Sequence, residues 1–379
     1  MSIFSILAIG QTNYYVSPTG NNINNGGVSA PWLHIQYGLD QLSSGDTLNL
    51  ETGTFNEKIQ IPGNGIVLRN KTGNSPIIDA TGWAGQESIV EIYDISNFTI
   101  DGIELQNNIM PDAQGIVVEN NCQNITIKNC VIHDIHFSAN ASDPVTENTN
   151  AQGIIVYGTD GTNSITNLNI INNELYNCRL GYSEGIAVNG NVDGFEVSGN
   201  LVHDITNIGL DFIGFEGTSP IPANDQARNG LVKNNTAYNC ISSYATSGGI
   251  YIDGGKSIII ENNTSYHNGY GIEIGCENVG YVTEDIIVRN NIFYDNEVSA
   301  LAVGGFDYPS GSGKVINSSF KNNTCYKNDY SNQGNGEMYL SYTENCEIEN
   351  NIFYVSNQNI ALYQDGTNIN LNLNYNVYY

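Results

Sequence analysis

The sequence predicts an all-β protein that forms a single parallel β-helix, a solenoid in which short strands stack coil upon coil. Two recurring phrases carry this prediction. A glycine followed by alternating apolar residues occurs at 185–189 (GIAVN), 209–213 (GLDFI), 249–253 (GIYID) and 271–275 (GIEIG). An apolar strand, usually with an asparagine pair and then an aromatic residue, occurs for example at 231–240 (LVKNNTAYNC) and 286–296 (IIVRNNIFYDN). A repeat of about 25 to 35 residues with short strands and polar turns is typical of a solenoid.

Composition agrees with this architecture and narrows the possible partners. Gly, Asn and Tyr are abundant, whereas Ala, Leu and Lys are scarce, which argues against a helical protein. The 39 acidic and 12 basic residues give a net charge of −27, which disfavours nucleic acid and anionic membrane surfaces as partners. A neutral glycan suits this charge better than a polyanion does.

The chain is expected to divide into a short leader and one β-helix domain. Residues 1–10 (MSIFSILAIG) are apolar and end in a small-x-small pattern, as the end of a secretory signal does. We therefore expect an exported protein without membrane insertion, because no other stretch is long and apolar enough to span a bilayer. Residues 11–379 are assigned to the β-helix, with a cap over about 14–61 and coils over about 62–379.

The cap is expected to contain one amphipathic helix. Trp32, Ile35, Leu39 and Leu42 have helical spacing. A helix here would cover the open end of the strand stack, where it would shield the core and prevent edge pairing.

Alignment of the recurring aromatic residues predicts two ladders along the solenoid axis. Side chains in such columns repeat about every 4.8 Å, so amides can bond one another and rings can stack. The asparagine column comprises Asn173, Asn200, Asn235, Asn263, Asn291, Asn323, Asn351 and Asn376, and the aromatic column comprises Tyr176, His203, Tyr238, Tyr266, Tyr294, Tyr326, Tyr354 and Tyr379. Both columns are interpreted as structural.

The seven cysteines are odd in number and have no paired spacing such as CxxC. Most occupy apolar positions of the repeat, so we interpret them as small buried hydrophobic residues. A disulfide framework and zinc ligation are the alternatives.

The candidate catalytic residues are Asp211, Asp253 and Glu273, which alternate with the inward apolar residues and so share an outward stripe. Asp211 and Glu273 fall in one column two coils apart, and Asp253 lies one coil from each and two residues along. Strand spacings place Asp253 about 8 Å from both, close to the roughly 6.5 to 9.5 Å between the acid and base of inverting glycosidases. Closer approach, as in a retaining pair, stays open. Other coils are expected to place apolar residues in the Asp211 column, namely Val117, Ile155, Ala187, Ala302 and Leu362.

Further residues are expected to bind substrate, namely Glu184, Asn189, Glu216, Arg228, Tyr251, Lys256 and Glu277. Tyr251 lies between the acids, where its ring could stack on a sugar. The alternative is that the outward acids only solvate one face or hold a structural Ca²⁺.

Two long insertions, residues 137–152 and 215–229, are expected to build the groove walls. Arg228 could contact substrate or form an ion pair with Asp225 that holds its loop. Phe306 and Tyr308 could lie at the far end of the groove.

The chain resembles the right-handed parallel β-helix proteins of the pectate-lyase-like superfamily. The stretch YYVSPTGNNINNGG, with PWLHIQ and GDTLNLETGTF, is similar to the cap and first coil of secreted polysaccharide lyases and their relatives. Residues 184–277 resemble a group of secreted bacterial β-helix proteins. The Asn-Thr-Asp, Asp-Asp and Arg-Ile-Lys motifs of polygalacturonases are absent, as is the aspartate cluster of calcium-dependent pectate lyases, so no catalytic residue is carried over from either family.

Three functions follow from these observations. The first is a secreted glycoside hydrolase that cleaves a polysaccharide or oligosaccharide by two-carboxylate acid/base catalysis and needs no cofactor. The second is a polysaccharide lyase or uronate epimerase, which requires a base such as Lys256 or Arg228 and could require Ca²⁺. The third is a glycan-binding or surface-structure solenoid without catalysis, because a fold does not assign a function.

Overall fold

A computed structural model describes residues 12–379 and shows a parallel β-helix with three long sheets. Most coils contribute one strand to each sheet in turn, and three coils near the C-terminus contribute two short strands to the first sheet. Strands pair in parallel with their equivalents in the neighbouring coils. The predicted fold class is confirmed.

The three sheets are named here by their strands. Sheet 1 has 16 strands: Asn13–Val16, Thr47–Leu50, Val67–Asn70, Ser96–Asp101, Gln123–Lys128, Ile165–Ile171, Val192–Ser198, Ala227–Lys233, Lys256–Glu261, Val282–Glu284, Ile287–Arg289, Lys314–Ile316, Ser319–Lys321, Thr343–Glu344, Glu347–Glu349 and Asn372–Asn374. Sheet 2 has 11 strands: Ile59–Gln60, Ser88–Tyr93, Ala113–Glu119, Ala151–Gly158, Glu184–Gly190, Ile208–Ile213, Gly248–Asp253, Tyr270–Gly275, Ser299–Gly304, Met338–Ser341 and Leu362–Asp365. Sheet 3 has 12 strands: Gly53–Phe55, Pro76–Asp79, Glu104–Gln106, Val131–His133, Glu174–Cys178, Leu201–Ile205, Thr236–Cys240, Thr264–Tyr266, Ile292–Tyr294, Thr324–Tyr326, Ile352–Tyr354 and Val377–Tyr378.

Inward-facing aliphatic residues stack along the axis and form the core. In sheet 2, one such column is Ile116, Ile154, Ile186, Leu210, Ile250, Ile272 and Leu301, each fully buried. This burial follows from the alternation in the glycine phrase, because every second strand residue points inward. The intervening residues therefore face outward, as the catalytic hypothesis requires.

The N-terminal helix is confirmed but is shorter than expected, spanning Ile35–Asp40. Ile35 and Leu39 are fully buried and close the core at this end. Trp32 lies before the helix, where its ring stacks on Tyr14 with the ring centroids 5.1 Å apart. No helix within residues 12–379 has the length and apolar character needed to cross a membrane. The proposed leader, residues 1–10, lies outside the described residues.

The asparagine ladder is confirmed in every coil for which it was predicted. From Asn173 to Asn376, each side-chain amide Nδ2 donates to the Oδ1 of the next member at 3.0 Å. The residue before each ladder member has a left-handed backbone, for example Asn234 with φ of 55° and Gly199 with φ of 65°. Asn and Gly tolerate this conformation best, which explains the paired asparagines of the repeat.

The aromatic ladder is confirmed over much of its length, and His203 belongs to it. His203 stacks between Tyr176 and Tyr238, with ring centroids 5.4 and 4.7 Å away, and His133 extends the stack at its start. His203 is therefore far from the acids, on sheet 3. All seven cysteines are free thiols and buried, which confirms their interpretation as small core residues.

Candidate active site

A cleft of about 990 Å³ runs across the outward face of sheet 2. Nine acids line it. Six of them were named as candidates from the sequence, namely Glu184, Asp211, Glu216, Asp253, Glu273 and Glu277, and the other three are Glu87, Asp112 and Glu147. Residues of both insertions also line it, such as Glu147 and Thr218, so these loops form its walls as predicted.

Close stacking of glycines shapes the edge of this cleft. Gly185, Gly209 and Gly249 follow one another in register, and a Cβ atom on Gly209 would lie 2.4 Å from the carbonyl oxygen of Gly249. Only glycine allows this approach between coils. Glu184 and Ile208 immediately precede two of these glycines and line the cleft.

The register of sheet 2 brings the three proposed catalytic acids together. Asp211 pairs with Tyr251, which in turn pairs with Glu273, so Asp211 and Glu273 share a column two coils apart. Asp253 lies two residues beyond Tyr251, as predicted. The prediction that Leu362 belongs to the Asp211 column is wrong. Leu362 pairs with the inward-facing Met338, so Tyr363 occupies this outward column instead.

Asp211 is 3 % exposed, and its Oδ1 atom has no hydrogen-bond partner among the described residues. Burial raises the pKa of this carboxyl well above its ordinary value, and the neighbouring charges of Glu184 and Asp253 raise it further. A buried acceptor without a donor costs free energy. This oxygen is therefore suited to carry a proton or to accept a hydrogen bond from a hydroxyl group of a bound molecule.

Asp253 is 5 % exposed and differs from Asp211 in one respect. Its Oδ1 accepts the backbone N–H of Glu277 at 2.8 Å. Burial and the charge of Glu277 hold the pKa of Asp253 well above its ordinary value, although this hydrogen bond favours the ionised form and opposes them. The two aspartates therefore have different environments within one cleft.

Three further acids also have raised pKa values. Burial, reinforced by Glu277, raises the pKa of Glu184 and of Glu273 to about 8. Burial and Glu216 raise the pKa of Glu277, whose Oε1 accepts the Tyr251 hydroxyl at 3.4 Å. Tyr251 is 5 % exposed, so little of its ring is free for the sugar stacking suggested by the sequence.

Two predicted substrate contacts hold the walls of the cleft. Asn189 accepts the Thr218 hydroxyl at 2.8 Å, and Glu216 accepts the Asn278 amide at 2.5 Å. Both side chains also line the cleft.

The assignments of Arg228 and Lys256 to the groove are wrong. Arg228 is the second residue of a sheet 1 strand, and its guanidinium pairs with Asp193 at 3.1 Å. Lys256 also lies in sheet 1 and pairs with Glu284 at 2.6 Å. Gly254, with φ of 73°, lies in the turn that carries the chain from sheet 2 to sheet 1, so Lys256 projects from a different face. Of the described residues that line the cleft, none is Lys, Arg or His.

Asp225 and Arg228 do not form the suggested ion pair with each other, because both side chains have other partners. Asp225 is 2 % exposed and instead accepts the backbone N–H groups of Gly217 and Ser219 at 2.7 and 2.8 Å. Asp225 thus fixes its loop through the backbone.

A region next to the acids was not predicted from the sequence. It combines one buried amide with a cluster of apolar side chains. Gln152 is 6 % exposed, and its Oε1 has no partner among the described residues. Beside it, Val117, Ile155, Ala187 and Ile213 form an apolar cluster with Tyr157. The strand alternation predicted that these side chains face outward. The sequence prediction, however, treated outward apolar residues only as positions without an acid and gave them no role in binding.

Phe306 lies in a cavity that adjoins the cleft, as predicted, whereas Tyr308 does not. Tyr308 packs beside Tyr342 in a separate pocket, with ring centroids 5.8 Å apart. Within residues 12–379, no three His, Cys, Asp or Glu side chains converge closely enough to hold a metal ion. Ca²⁺ also accepts backbone and amide oxygens as ligands, so the Ca²⁺ hypothesis stays a prediction.

The raised pKa values predict a specific dependence of stability on pH. Glu273 has a pKa of about 8 in the folded protein and about 4.5 when unfolded, so the folded state holds this proton more tightly. We expect the contribution of Glu273 to the free energy of unfolding to be greatest below pH 4.5 and to fall as pH rises to about 8.

Replacing Glu273 with Gln should remove part of this slope and stabilise the protein above pH 8 by roughly 2 kcal/mol. This gain is smaller than a fully buried glutamate with the same pKa would give, because the Glu273 side chain is only partly buried. Thermal melts from pH 4 to 9 measure this, with the exposed Glu147→Gln as control. A Glu273→Gln profile parallel to that of the wild type would contradict the prediction.

Comparison with known proteins identifies the family. Residues 139–326 and 224–379 match the family model described as right handed beta helix region. The uncharacterized protein YwoF of Bacillus subtilis (strain 168) is 33% identical over 386 residues, which cover 96% of this chain and 80% of YwoF.

Two solved structures share the fold. The GH136 lacto-N-biosidase from Eubacterium ramulus has a TM-score of 0.64 at 16% identity, covering 96% of this chain and 68% of that chain. The A-module of the mannuronan C-5 epimerase AlgE4 from Azotobacter vinelandii has a TM-score of 0.60 at 14% identity, covering 91% and 92%. The family model and the YwoF match together show that the chain belongs to the right-handed β-helix family.

Proposed function

We propose that this protein is a glycoside hydrolase that cleaves a neutral or weakly charged glycan, with Asp211 and Asp253 as its acid/base pair. The observation that carries the proposal is the pair of buried carboxylates on one cleft, one with an unpartnered oxygen and the other held by a backbone N–H group. Glu273 supports them as a third acid that holds its own proton near neutral pH.

The different environments assign the two roles. The Oδ1 atom of Asp211 accepts no hydrogen bond, and burial with the charges of Glu184 and Asp253 raises the pKa of this carboxyl. Asp211 therefore keeps its proton and acts as the general acid. The pKa of Asp253 is raised as well, but the Glu277 N–H, at 2.8 Å from its Oδ1, favours the ionised form, so we assign Asp253 as the base that activates water.

The backbone spacing favours inversion at the anomeric carbon. One coil step of about 4.8 Å and two residues along a strand, about 6.7 Å, separate the two aspartates by roughly 8 Å. This value lies within the roughly 6.5 to 9.5 Å that leaves room for a water molecule opposite the leaving group. We therefore propose an inverting reaction, which proton NMR of the first-formed anomer tests.

Charge favours a neutral substrate over a uronate. Nine acids line the cleft without a basic side chain among its described lining residues, so a bound uronate carboxylate would find no positive charge to neutralise it. The same arrangement weakens the lyase and epimerase hypotheses, because Lys256 and Arg228 lie on sheet 1. Carbohydrate enzymes of more than one reaction type share this fold, which supports a glycan substrate by analogy without choosing the reaction.

The test is a screen of the purified protein against neutral and uronate polysaccharides, with and without EDTA. A hydrolase releases reducing sugar, whereas a lyase yields an unsaturated product that absorbs in the ultraviolet, and a binding protein yields no product. Reducing sugar from a neutral glycan with EDTA present is the expected result. Unsaturated product, or binding without product, would contradict it. We also propose that the protein is secreted, which recovery of the processed chain from the culture medium would test.

The charge on Glu184 should set the alkaline limit of activity. Because Glu184 raises the pKa of Asp211, Glu184→Gln should move the alkaline limb of the kcat/KM profile to lower pH by roughly one pH unit. The exposed Glu147→Gln, also on the cleft, is the matched control and should leave the limb in place. An unshifted limb in Glu184→Gln would show that Asp211 is not the group titrating there.

A further inference from the structure

We propose that the cleft binds glycan on both sides of Asp211 and Asp253, so that the protein cleaves internal bonds of a polymer. The binding part of this inference stands on its own geometry, and its cleavage part rests on the proposed hydrolase function. Two separate features on either side of the acids carry it.

The first feature lies in the coils that precede the acids. The Oε1 atom of Gln152 is buried without a partner and belongs to a residue that lines the cleft, while Nε2 is held by the Ser183 hydroxyl at 3.0 Å. This bond orients the amide, so its free atom is fixed in place. An oriented acceptor without a donor is suited to receive a sugar hydroxyl.

An apolar floor accompanies this acceptor. Ile155 and Ile213 line the cleft. Val117 and Ala187 pack in the same apolar cluster and share with Ile155 the outward column of Asp211 in the three preceding coils. A sugar ring presents C–H groups on its faces and hydroxyls at its edge. The floor and Gln152 together match both parts of such a ring.

The second feature lies in the coils that follow the acids. A cavity of about 330 Å³ shares Tyr251, Glu273 and Glu277 with the cleft, so the two form one continuous groove. Ala302 stands between Glu273 and Tyr339 in the outward column, and its small side chain leaves space there. Tyr339 lines this space, and Phe306 lines it while remaining 65 % exposed.

An exposed aromatic ring and a tyrosine beside a small depression form a platform for a second sugar ring. The acids lie between this platform and the Gln152 region along the column. A chain that occupies both regions passes over Asp211 and Asp253 in its interior, and the bond cleaved is then internal.

Binding is measured first with full-length Asp211→Asn, which separates it from catalysis. Affinity electrophoresis in gels containing xylan, β-glucan, mannan or galactan should show retardation by at least one polymer. Adding Gln152→Ala or the pair Phe306→Ala and Tyr339→Ala should weaken that retardation by about fivefold or more each. The exposed controls Gln123→Ala and Tyr375→Ala lie outside the groove and should change nothing. Circular dichroism confirms that each variant is folded.

Cleavage is then followed with the wild-type protein on the polymer that binds. Viscosity should fall early, while few reducing ends have formed, if internal bonds are cut. Retardation by none of the four polymers, or weakening by variants on only one side of the acids, would overturn the two-sided groove. Release of terminal units alone would overturn internal cleavage and leave the hydrolase proposal standing. Two-sided binding without any hydrolysis would keep the groove and overturn the hydrolase proposal.

Discussion

Asp211→Asn is expected to lower kcat/KM on the natural glycan by about 10³-fold, because the variant cannot protonate the departing oxygen. The side chain is 3 % exposed and its Oδ1 has no partner, so Asn fits the same space without breaking a bond to that atom. The variant should therefore be at least as stable as the wild type near neutral pH, since it removes a buried group that resists ionisation. Activity and a thermal melt, measured side by side, separate loss of chemistry from loss of fold.

A synthetic substrate distinguishes the acid from the base. The nitrophenyl glycoside of the sugar found in the screen has a leaving group that needs little protonation. Asp211→Asn should retain most of its activity on this substrate, whereas Asp253→Asn should be inactive on both, because its water is no longer activated. The exposed Glu147→Gln is the control and should behave as the wild type. Equal losses in the two aspartate variants on the nitrophenyl substrate would contradict the assigned roles.

Asn263→Ala is expected to destabilise the protein by about 3 kcal/mol or more. Asn263 is 1 % exposed, and its Oδ1 accepts both the backbone N–H and the side-chain amide of Asn235, at 2.9 and 3.0 Å. Its own Nδ2 donates to the Val232 carbonyl and to Asn291, both at 3.0 Å. Truncation therefore removes four hydrogen bonds in the interior and takes away the side-chain acceptor of the Asn235 backbone N–H, and an unpaired buried group is more costly than the bond itself.

Chemical denaturation measures this loss, with Asn148→Ala as the matched control at an exposed position. The control should change the free energy of unfolding by less than about 0.5 kcal/mol. Similar losses in the two variants would show that the ladder bonds contribute little to stability.

Local sequence pattern was sufficient for the coil architecture. In a β-helix each strand pairs with the equivalent strand one repeat later, so the repeat itself defines the neighbours. This is why the Asn263 and His203 columns and the shared column of Asp211 and Glu273 could be aligned without coordinates. A second ladder of Asn268, Asn296 and Asn328, which ends on the buried Glu337, was readable in the same way but was missed because fewer coils repeat it.

The sequence by itself determined the fold class, the inward and outward faces of each strand and the three acids that share the outward stripe, because alternation and repetition are local properties of the chain. Only the tertiary structure decided on which sheet of the solenoid a residue lies when it follows a turn or a loop. Lys256 and Arg228 follow a glycine turn and a long loop, and such segments change sheet without leaving a periodic signal. The burial that raises the pKa of Asp211 and the free amide oxygen of Gln152 likewise depend on loops and coils far apart in sequence, which meet only when the solenoid closes around the cleft.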